Sequence, residues 1–373
     1  MYESVKLVMS KIKSEKQIVA QWQKNQPMVS ICCTAYNQEK YIEEALKSFL
    51  LQETSFPFEI IISDDCSTDR TTEILRRYAK QYPNIIRLIY QEKNKYSEGA
   101  LPIRDFILPE VKGKYIALCE GDDYWTDSTK LQQQVDFLEQ NIEFMGCGHN
   151  TRFLINGELT DRLFVDSNNK KDSYIFEDFI DSAYLHTTSL VFRYDSKHKD
   201  QIDEYLAKYS SVKRNDVYML LVFSKFGSIK YIDRIMSVYR MNDGGIWSGA
   251  NEQAQLIMFL HGCIDFSYIF GDEYKDKFLY SFANTFSESL DTCTSCFVSE
   301  VLNEFSEKDL RVVVESFAKY KKQDNETIKN CSEYIDFLEE QVNDNSLRSF
   351  IVKLMKVVKI YPVIKNIRAK IFK

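Results

Sequence analysis

Tyr115-Ile116-Ala117-Leu118-Cys119-Glu120-Gly121-Asp122-Asp123-Tyr124-Trp125 is the stretch whose reading decides the fold. The run from Tyr115 to Cys119 is apolar and has the length of a buried strand. It leads straight into Glu120, Gly121 and two adjacent aspartates. In an open α/β sheet, ligands gather at the carboxyl ends of the strands. Carboxylates placed there offer hard oxygen ligands to a divalent cation, and a glycine allows close backbone approach. Taken alone, Gly-Asp-Asp reads more readily as an acidic turn capping the helix that follows. The surrounding chain has to choose between the two.

Upstream, strands and helices alternate. Met28 to Thr34 reads as a buried strand, followed by the turn Ala35-Tyr36-Asn37. Ile42, Ala45, Leu46, Phe49 and Leu50 form one helical stripe. Phe58 to Ser63 is a second strand, and the polar turn Asp64 to Asp69 is expected to supply the N-cap of a helix carrying Ile74, Leu75 and Tyr78. Ile85 to Tyr90 is the third strand and Tyr115 to Cys119 the fourth. Such alternation predicts an α/β fold, a mixed, mainly parallel sheet with helices on both faces.

Downstream, a helix is expected from about Asp127 or Ser128, then shorter strands and loops from Phe144 to about Arg193. Val217 to Phe226 reads as helix and Ile229 to Arg240 as a pair of strands. A glycine-rich loop spans Met241 to Gly249, and from residue 251 the pattern is helical. Three regions result: an N-terminal helical extension (1–26), the α/β domain (27–250) and a helical C-terminal region (251–373).

Composition narrows the function. Of 373 residues, 44% are hydrophobic and 28% charged, as in ordinary globular proteins. A net charge of −7 argues against a general nucleic-acid binder, but it is unevenly spread. From Leu347 onward the chain carries +8 with no acidic residue, so the body before it carries −15. Ile351, Leu354, Met355 and Val358, then Ile364, Ile367 and Ile371, form apolar stripes among these lysines and arginines. That pattern suits adsorption to an anionic membrane surface, with packing on the acidic body as the alternative. Thr327 to Val342 reads as a helix that could pair two copies into a homodimer. Most of the nine cysteines sit in apolar segments, as buried thiols do in a reducing compartment. The Cys293/Cys296 pair lacks a second pair at metal-ligand spacing. With no signal-peptide pattern and no apolar run of about 20 residues, a cytoplasmic protein peripheral on the inner membrane face is expected.

Three segments, in order, resemble the family 2 glycosyltransferases of GT-A fold. Val29-Ser30-Ile31-Cys32-Cys33-Thr34-Ala35-Tyr36-Asn37 looks like that family's first strand and nucleotide-facing turn. Glu59 to Asp69 is similar to its second strand and acidic turn, and Gly113 to Asp123 to its metal-binding strand. The wording Glu120-Gly121-Asp122-Asp123-Tyr124-Trp125 is nearest to a bacterial subgroup associated with capsule and O-antigen synthesis. The resemblance covers about residues 27–250.

What the resemblance implies is an inverting transferase. It would move a hexosyl or N-acetylhexosaminyl group from a nucleotide-sugar donor to a saccharide or polyprenyl-linked acceptor. Mn²⁺ or Mg²⁺ bridging the donor diphosphate would stabilise the leaving anion. Asp123 would be the metal ligand and Asp122 would lie nearer the ribose and sugar. Thr34, Tyr36 and Asp65 would line the nucleotide pocket, where an aspartate accepting from uracil N3–H suits a UDP donor. Arg104 stands where the family often places an arginine near base and phosphates. Asp216, opening a helix, is the expected general base. Glu120 either contacts the donor or shapes the turn, and His186 faces the acceptor or is structural. Arg240 either meets phosphate or ends a strand at the surface. Asp243 could replace a histidine that relatives often carry near Asn242, and Trp247 could act as a lid. The alternative is a catalytically silent glycan- or partner-binding scaffold of the same fold.

Overall fold

The computed structural model describes residues 12–22, 26–168, 170–182, 184–209, 214–241, 249–289, 304–306, 308–309 and 312–313. Asp243, Trp247, Cys293, Cys296, the 327–342 segment and the basic tail lie outside the described residues. The chain divides into two compact units, Met1–Gly249 and Ala250–Lys373.

In the first unit a short helix, α1 (Glu15–Val19), is closed by a capping box between Ser14 and Gln17 and buries Ile18. Trp22 then packs edge-on against Phe58, with ring centroids 5.3 Å apart. β1 (Val29–Ala35) and β2 (Phe58–Asp64) are apolar runs buried almost throughout, as central strands covered on both faces must be. Between them, α2 (Ile42–Leu50) turns its apolar stripe inward, with Ile42, Ala45, Leu46, Phe49 and Leu50 fully buried. Each such aliphatic side chain contributes roughly 1.5–3 kcal/mol through burial. α3 (Thr71–Gln81) leads to β3 (Ile86–Tyr90). The capping expectation needs correction: Arg70 stands at the N-cap without a side-chain bond. Asp69 accepts from the Thr71 amide at 2.9 Å instead.

β4 (Tyr115–Leu118) lies beside β1, and the register aligns Val29 with both Phe58 and Tyr115. β1 and β2 therefore end side by side, at Ala35 and Asp64, while β4 ends at Leu118 opposite Cys32 and the turn after it runs on beside Thr34. Gly113 makes this approach possible: a Cβ there would stand 2.5 Å from the Ser30 nitrogen and 2.8 Å from the Val29 carbonyl carbon. After β5 (Tyr124–Trp125), α4 (Lys130–Gln140) begins two to three residues later than its sequence suggests, because Asp127 accepts from the Thr129 amide and turns the chain first.

β6 (Phe144–Ile155), β7 (Glu158–Leu163), β8 (Ser173–Tyr174), a helical turn α5 (Asp178–Asp181), β9 (Val191–Arg193), α6 (Lys199–Ala207), α7 (Asn215–Ser224) and β10 (Ser228–Met241) complete the unit. The sheet order is β3-β2-β1-β4-β9-β6-β10-β5, with β7 on β6 and β8 on β10. β3, β2, β1 and β4 run parallel, β9 reverses between β4 and β6, and β10 runs parallel to β6. The expected strand pair at 229–240 is one long strand. Its register slips near Ile235, so exposed Asp233 and Arg234 sit on an irregularity rather than in a turn.

In the second unit α8 (Glu252–Ile269) is capped by Asn251, whose side chain accepts from the Ala254 amide at 2.8 Å. α8 and α9 (Asp272–Ser289) meet through Phe266 and Phe278, whose ring centroids are 5.8 Å apart. Among the described residues, no helix is long and apolar enough to cross a membrane.

Candidate active site

The turn after β4 is pressed onto the end of β1. The Gly121 amide donates to the Thr34 carbonyl at 3.0 Å. A Cβ on Gly121 would lie 2.4 Å from Gln38 Oε1, 2.6 Å from Ile42 Cδ1 and 3.2 Å from the Thr34 carbonyl oxygen. A side chain there would have to displace Gln38 and Ile42, and the turn brings Glu120, Asp122 and Asp123 to one place. Asp123 is 2% exposed. Its Oδ1 accepts from the Arg240 amide at 2.7 Å, and its Oδ2 lies 3.9 Å from His186 Nδ1. Glu120 Oε2 accepts from the Thr187 hydroxyl at 2.8 Å.

Three carboxylates this close repel one another. Burial, then Asp122 and Glu120, holds the Asp123 carboxyl well above the usual carboxylate range, with only partial relief from Arg240. Burial pushes Glu120 up to about 7, with Asp122 and Asp216 adding repulsion and the Thr187 hydroxyl opposing it. Burial and the same carboxylates keep the thiols of Cys33 and Cys119 protonated, so neither is a nucleophile. A cation would relieve this crowding of negative charge.

The described residues contain no ready-made group of three His, Cys, Asp or Glu arranged around a metal position. A Mg²⁺-type site needs less from the protein, being bound by one or two carboxylates with substrate phosphates and water completing the shell. Buried Asp123, with Oδ1 bonded to an amide and its carboxyl destabilised by its neighbours, fits that donor set through Oδ2.

The other expected residues fall around this turn in different ways. Thr34 is the penultimate residue of β1, and Tyr36 just beyond the strand is 46% exposed, open to a ligand. Asp65 is buried, and its two oxygens accept from the amides of Lys95 at 2.7 Å and Tyr96 at 3.0 Å. Asp64 accepts from Ser67 and Thr72 and closes its own turn. Arg104, on a π-helical turn (Ile103–Ile107), pairs with Asp105 at 2.6 Å and donates to the carbonyls of Leu206 and Tyr209 at the end of α6. Asp216 is exposed in the first turn of α7, behind Arg214 in left-handed conformation. Its charge reaches Glu120 and Tyr96.

His186 caps the short turn Thr187–Ser189 by accepting from the Thr188 amide at 3.3 Å. Its ring packs against Tyr239 and Phe164, and burial pushes its pKa down to about 3, so it is neutral at physiological pH. Arg240 neither meets solvent as a strand end nor stands free for phosphate. Its Nε donates to the Asp122 carbonyl at 2.8 Å and its guanidinium pairs with Glu44.

Glu44 and Tyr96 escape sequence reasoning, and Thr187 is marked only by its place beside His186. Each reaches the site from a separate segment, and neither periodicity nor turn chemistry marks them. The order Trp125, Lys130, Gln134 carries a weak signal. Lys130 is fully buried, donates to Gln134 at 2.7 Å and lies 4.2 Å from the Trp125 ring centroid. Gln134 in turn donates to the Ser189 carbonyl at 2.8 Å, and Trp125 to the Thr188 carbonyl at 2.8 Å, so this layer supports the turn that carries Thr187.

Several known proteins are similar to this chain in sequence or fold. An uncharacterized protein of Mycobacterium tuberculosis (strain ATCC 25618 / H37Rv) is 35% identical over 222 residues, which cover 60% of this chain and 61% of that one. The UDP-Glc:alpha-D-GlcNAc-diphosphoundecaprenol beta-1,3-glucosyltransferase WfaP of Escherichia coli is 40% identical over 117 residues, 31% of this chain and 43% of that protein. The chain thus matches less than two thirds of the length of these relatives. Among solved structures, S. aureus TarS 1-349 in complex with UDP-GlcNAc superposes with a TM-score of 0.52 at 18% identity, over 78% of this chain and 80% of that chain. That likeness shows the GT-A-like fold. The family model for Glycosyl transferase family 2 matches residues 30–198, and this part of the chain is a domain of that family.

Proposed function

We propose that the protein is an inverting, metal-dependent glycosyltransferase. In this reading it moves a sugar from a UDP-linked donor to a saccharide or lipid-linked saccharide of a bacterial surface polymer. The observation that carries the reading is the mutually repelling carboxylate group Glu120–Asp122–Asp123 at the strand ends, with Asp123 buried and Asp216 acting on Glu120 across the site. The donor named for WfaP and the UDP-GlcNAc bound to TarS support a uridine nucleotide.

A bound Mn²⁺ or Mg²⁺ would supply charge neutralisation for the departing diphosphate. Asp123 would hold it through Oδ2, with Asp122 on the donor side. Thr34 and Tyr36 would border the nucleoside, and Asp65 would shape that wall by fixing the Lys95–Tyr96 backbone. Arg104 would have to leave its α6 carbonyls to reach the donor. Asp216, exposed on the first turn of α7, would take the proton from the acceptor hydroxyl. The acceptor oxygen attacks the anomeric carbon from the side opposite the diphosphate, the new glycosidic bond forms as the carbon–phosphate oxygen bond breaks, and UDP leaves. Neutral His186 would pack against this site without accepting the proton. The basic tail would bring the enzyme to an anionic membrane where lipid-linked acceptors reside, a reading supported by sequence alone.

A panel of UDP- and GDP-sugars, with release of nucleoside diphosphate measured with and without Mn²⁺, tests the reading. UDP release from one UDP-sugar, abolished by Asp123→Ala and reduced at least a hundredfold by Asp216→Ala, is expected. Full activity of both variants would sink it. Failure to bind UDP with or without Mn²⁺ in calorimetry would favour the silent scaffold.

A further inference from the structure

We propose that Arg240, held by Glu44, is a positioning residue for the metal-binding carboxylate Asp123; the inference rests on the function proposed above. Two contacts from this one residue converge on the Asp122–Asp123 turn, and a third ties it to α2. Its backbone N–H donates to Asp123 Oδ1 at 2.7 Å, and its Nε donates to the Asp122 carbonyl at 2.8 Å. Its guanidinium pairs with Glu44 and lies 4.6 Å from the Tyr41 ring centroid and 5.7 Å from that of Tyr124. The Arg240 side chain is 12% exposed, so its bonds to the turn are largely shielded from water, while its partner Glu44 is 37% exposed.

The Asp122 carbonyl and the Asp123 amide belong to one peptide plane. Rotation of that plane would swing both carboxylates. It is pinned at both ends: the carbonyl by Arg240 Nε, the amide by the Glu120 carbonyl at 3.2 Å. With Oδ1 bonded to the Arg240 amide, Asp123 is left to offer Oδ2. The partner of the guanidinium matters as much. An arginine beside a metal carboxylate would compete with the cation if it paired with that carboxylate directly. Here Glu44, on α2, takes the guanidinium instead, so Arg240 orients the turn through a carbonyl and an amide while Asp123 Oδ2 stays clear of it.

Two consequences separate this role from simple packing. Lysine at 240 keeps the charge but lacks the planar fork that reaches a carbonyl and a carboxylate together. Removing the Glu44 charge frees the guanidinium to pair with Asp122 or Asp123, and metal binding should weaken although neither metal-side residue has changed. The experiment is Mn²⁺ titration of the full chain at saturating UDP, read by loss of the free-Mn²⁺ electron paramagnetic resonance signal, with thermal melts as a fold control. Wild type, Arg240→Lys, Arg240→Gln and Glu44→Gln are compared. Loss of the supporting contact should raise the Mn²⁺ half-saturation concentration about tenfold in both Arg240 variants. A smaller rise, about threefold, is expected for Glu44→Gln, with melting temperatures held to within a few degrees. An unchanged half-saturation in Arg240→Lys, or tighter Mn²⁺ binding in Glu44→Gln, overturns the proposal. If the Arg240 variants do not fold, Glu44→Gln decides it alone. A wild-type chain that binds no Mn²⁺ with UDP overturns the proposed function and this role together, whereas normal wild-type binding with unaffected variants overturns only the role of Arg240.

Discussion

Replacing Glu120 with glutamine tests whether the site stores electrostatic strain. The carboxyl is raised from 4.5 to about 7, chiefly by burial. At about 1.36 kcal/mol per unit, that shift corresponds to a ceiling of about 3 kcal/mol. The sign follows from proton binding. Between 4.5 and about 7 the folded protein holds this proton and the unfolded chain does not, so stability falls as pH rises through the window. Below 4.5 the group costs nothing, and above 7 the whole cost is present. Glu120 keeps some solvent contact. A realised gain of ~1–2 kcal/mol is therefore expected for Glu120→Gln at pH 8. The glutamine carbonyl can still accept from Thr187, so the substitution removes charge and little else. For a unit of this size the gain corresponds to a rise of about 2–8 °C in melting temperature. Melting curves of both proteins at pH 4.5 and pH 8, in chelator to exclude metal, make the comparison. A stabilisation equal at both pH values, or a less stable variant at pH 8, would refute the reasoning.

Asp123→Asn should also stabilise the metal-free protein at neutral pH, since it removes a buried carboxyl whose ionisation is opposed by burial, Asp122 and Glu120, while Mn²⁺-dependent UDP binding disappears. Chemical denaturation and calorimetry on the same sample check both halves. Lys130 has the opposite pH signature to Glu120: burial pushes it down to about 7 from 10.5, so the unfolded chain binds the extra proton and wild-type stability rises with pH between those values. Lys130→Met should remove that rise, measured by urea denaturation from pH 7 to 10; a parallel slope in both proteins would contradict it. Gly113→Ala should destabilise more than Gly121→Ala, because the added methyl meets fixed backbone at Gly113 but mainly side-chain ends at Gly121. About 3 kcal/mol or more against about 1–2 kcal/mol is expected in equilibrium unfolding.

Much of the fold could be read from the chain. β1 and β2 are continuous apolar runs, and α2 carries one apolar stripe, so local pattern alone separates strand from helix. The strand ends were equally visible, because Thr34, Asp65 and Glu120–Asp123 follow directly on those runs. β10 was misread as two strands, since Asp233 and Arg234 resemble a turn and only pairing with β6 shows the register slipping past them. At Asp64–Asp69 several acidic side chains could cap the next helix, and the folded turn assigns that bond to Asp69.

The carboxylate turn at Glu120–Asp123 shows where each kind of information stops. By itself the sequence determined that an apolar strand ends in glycine and acidic residues, and in what order such strands follow one another, because these depend on side-chain type and spacing along a few residues. Only the tertiary structure decided that the Arg240 amide occupies one oxygen of Asp123, that Glu44 takes the Arg240 guanidinium, and that Thr187 bonds Glu120. Those partners lie tens to more than a hundred residues away, and burial sets their energies. Neither distance nor burial exists until the sheet has closed the strands around the turn.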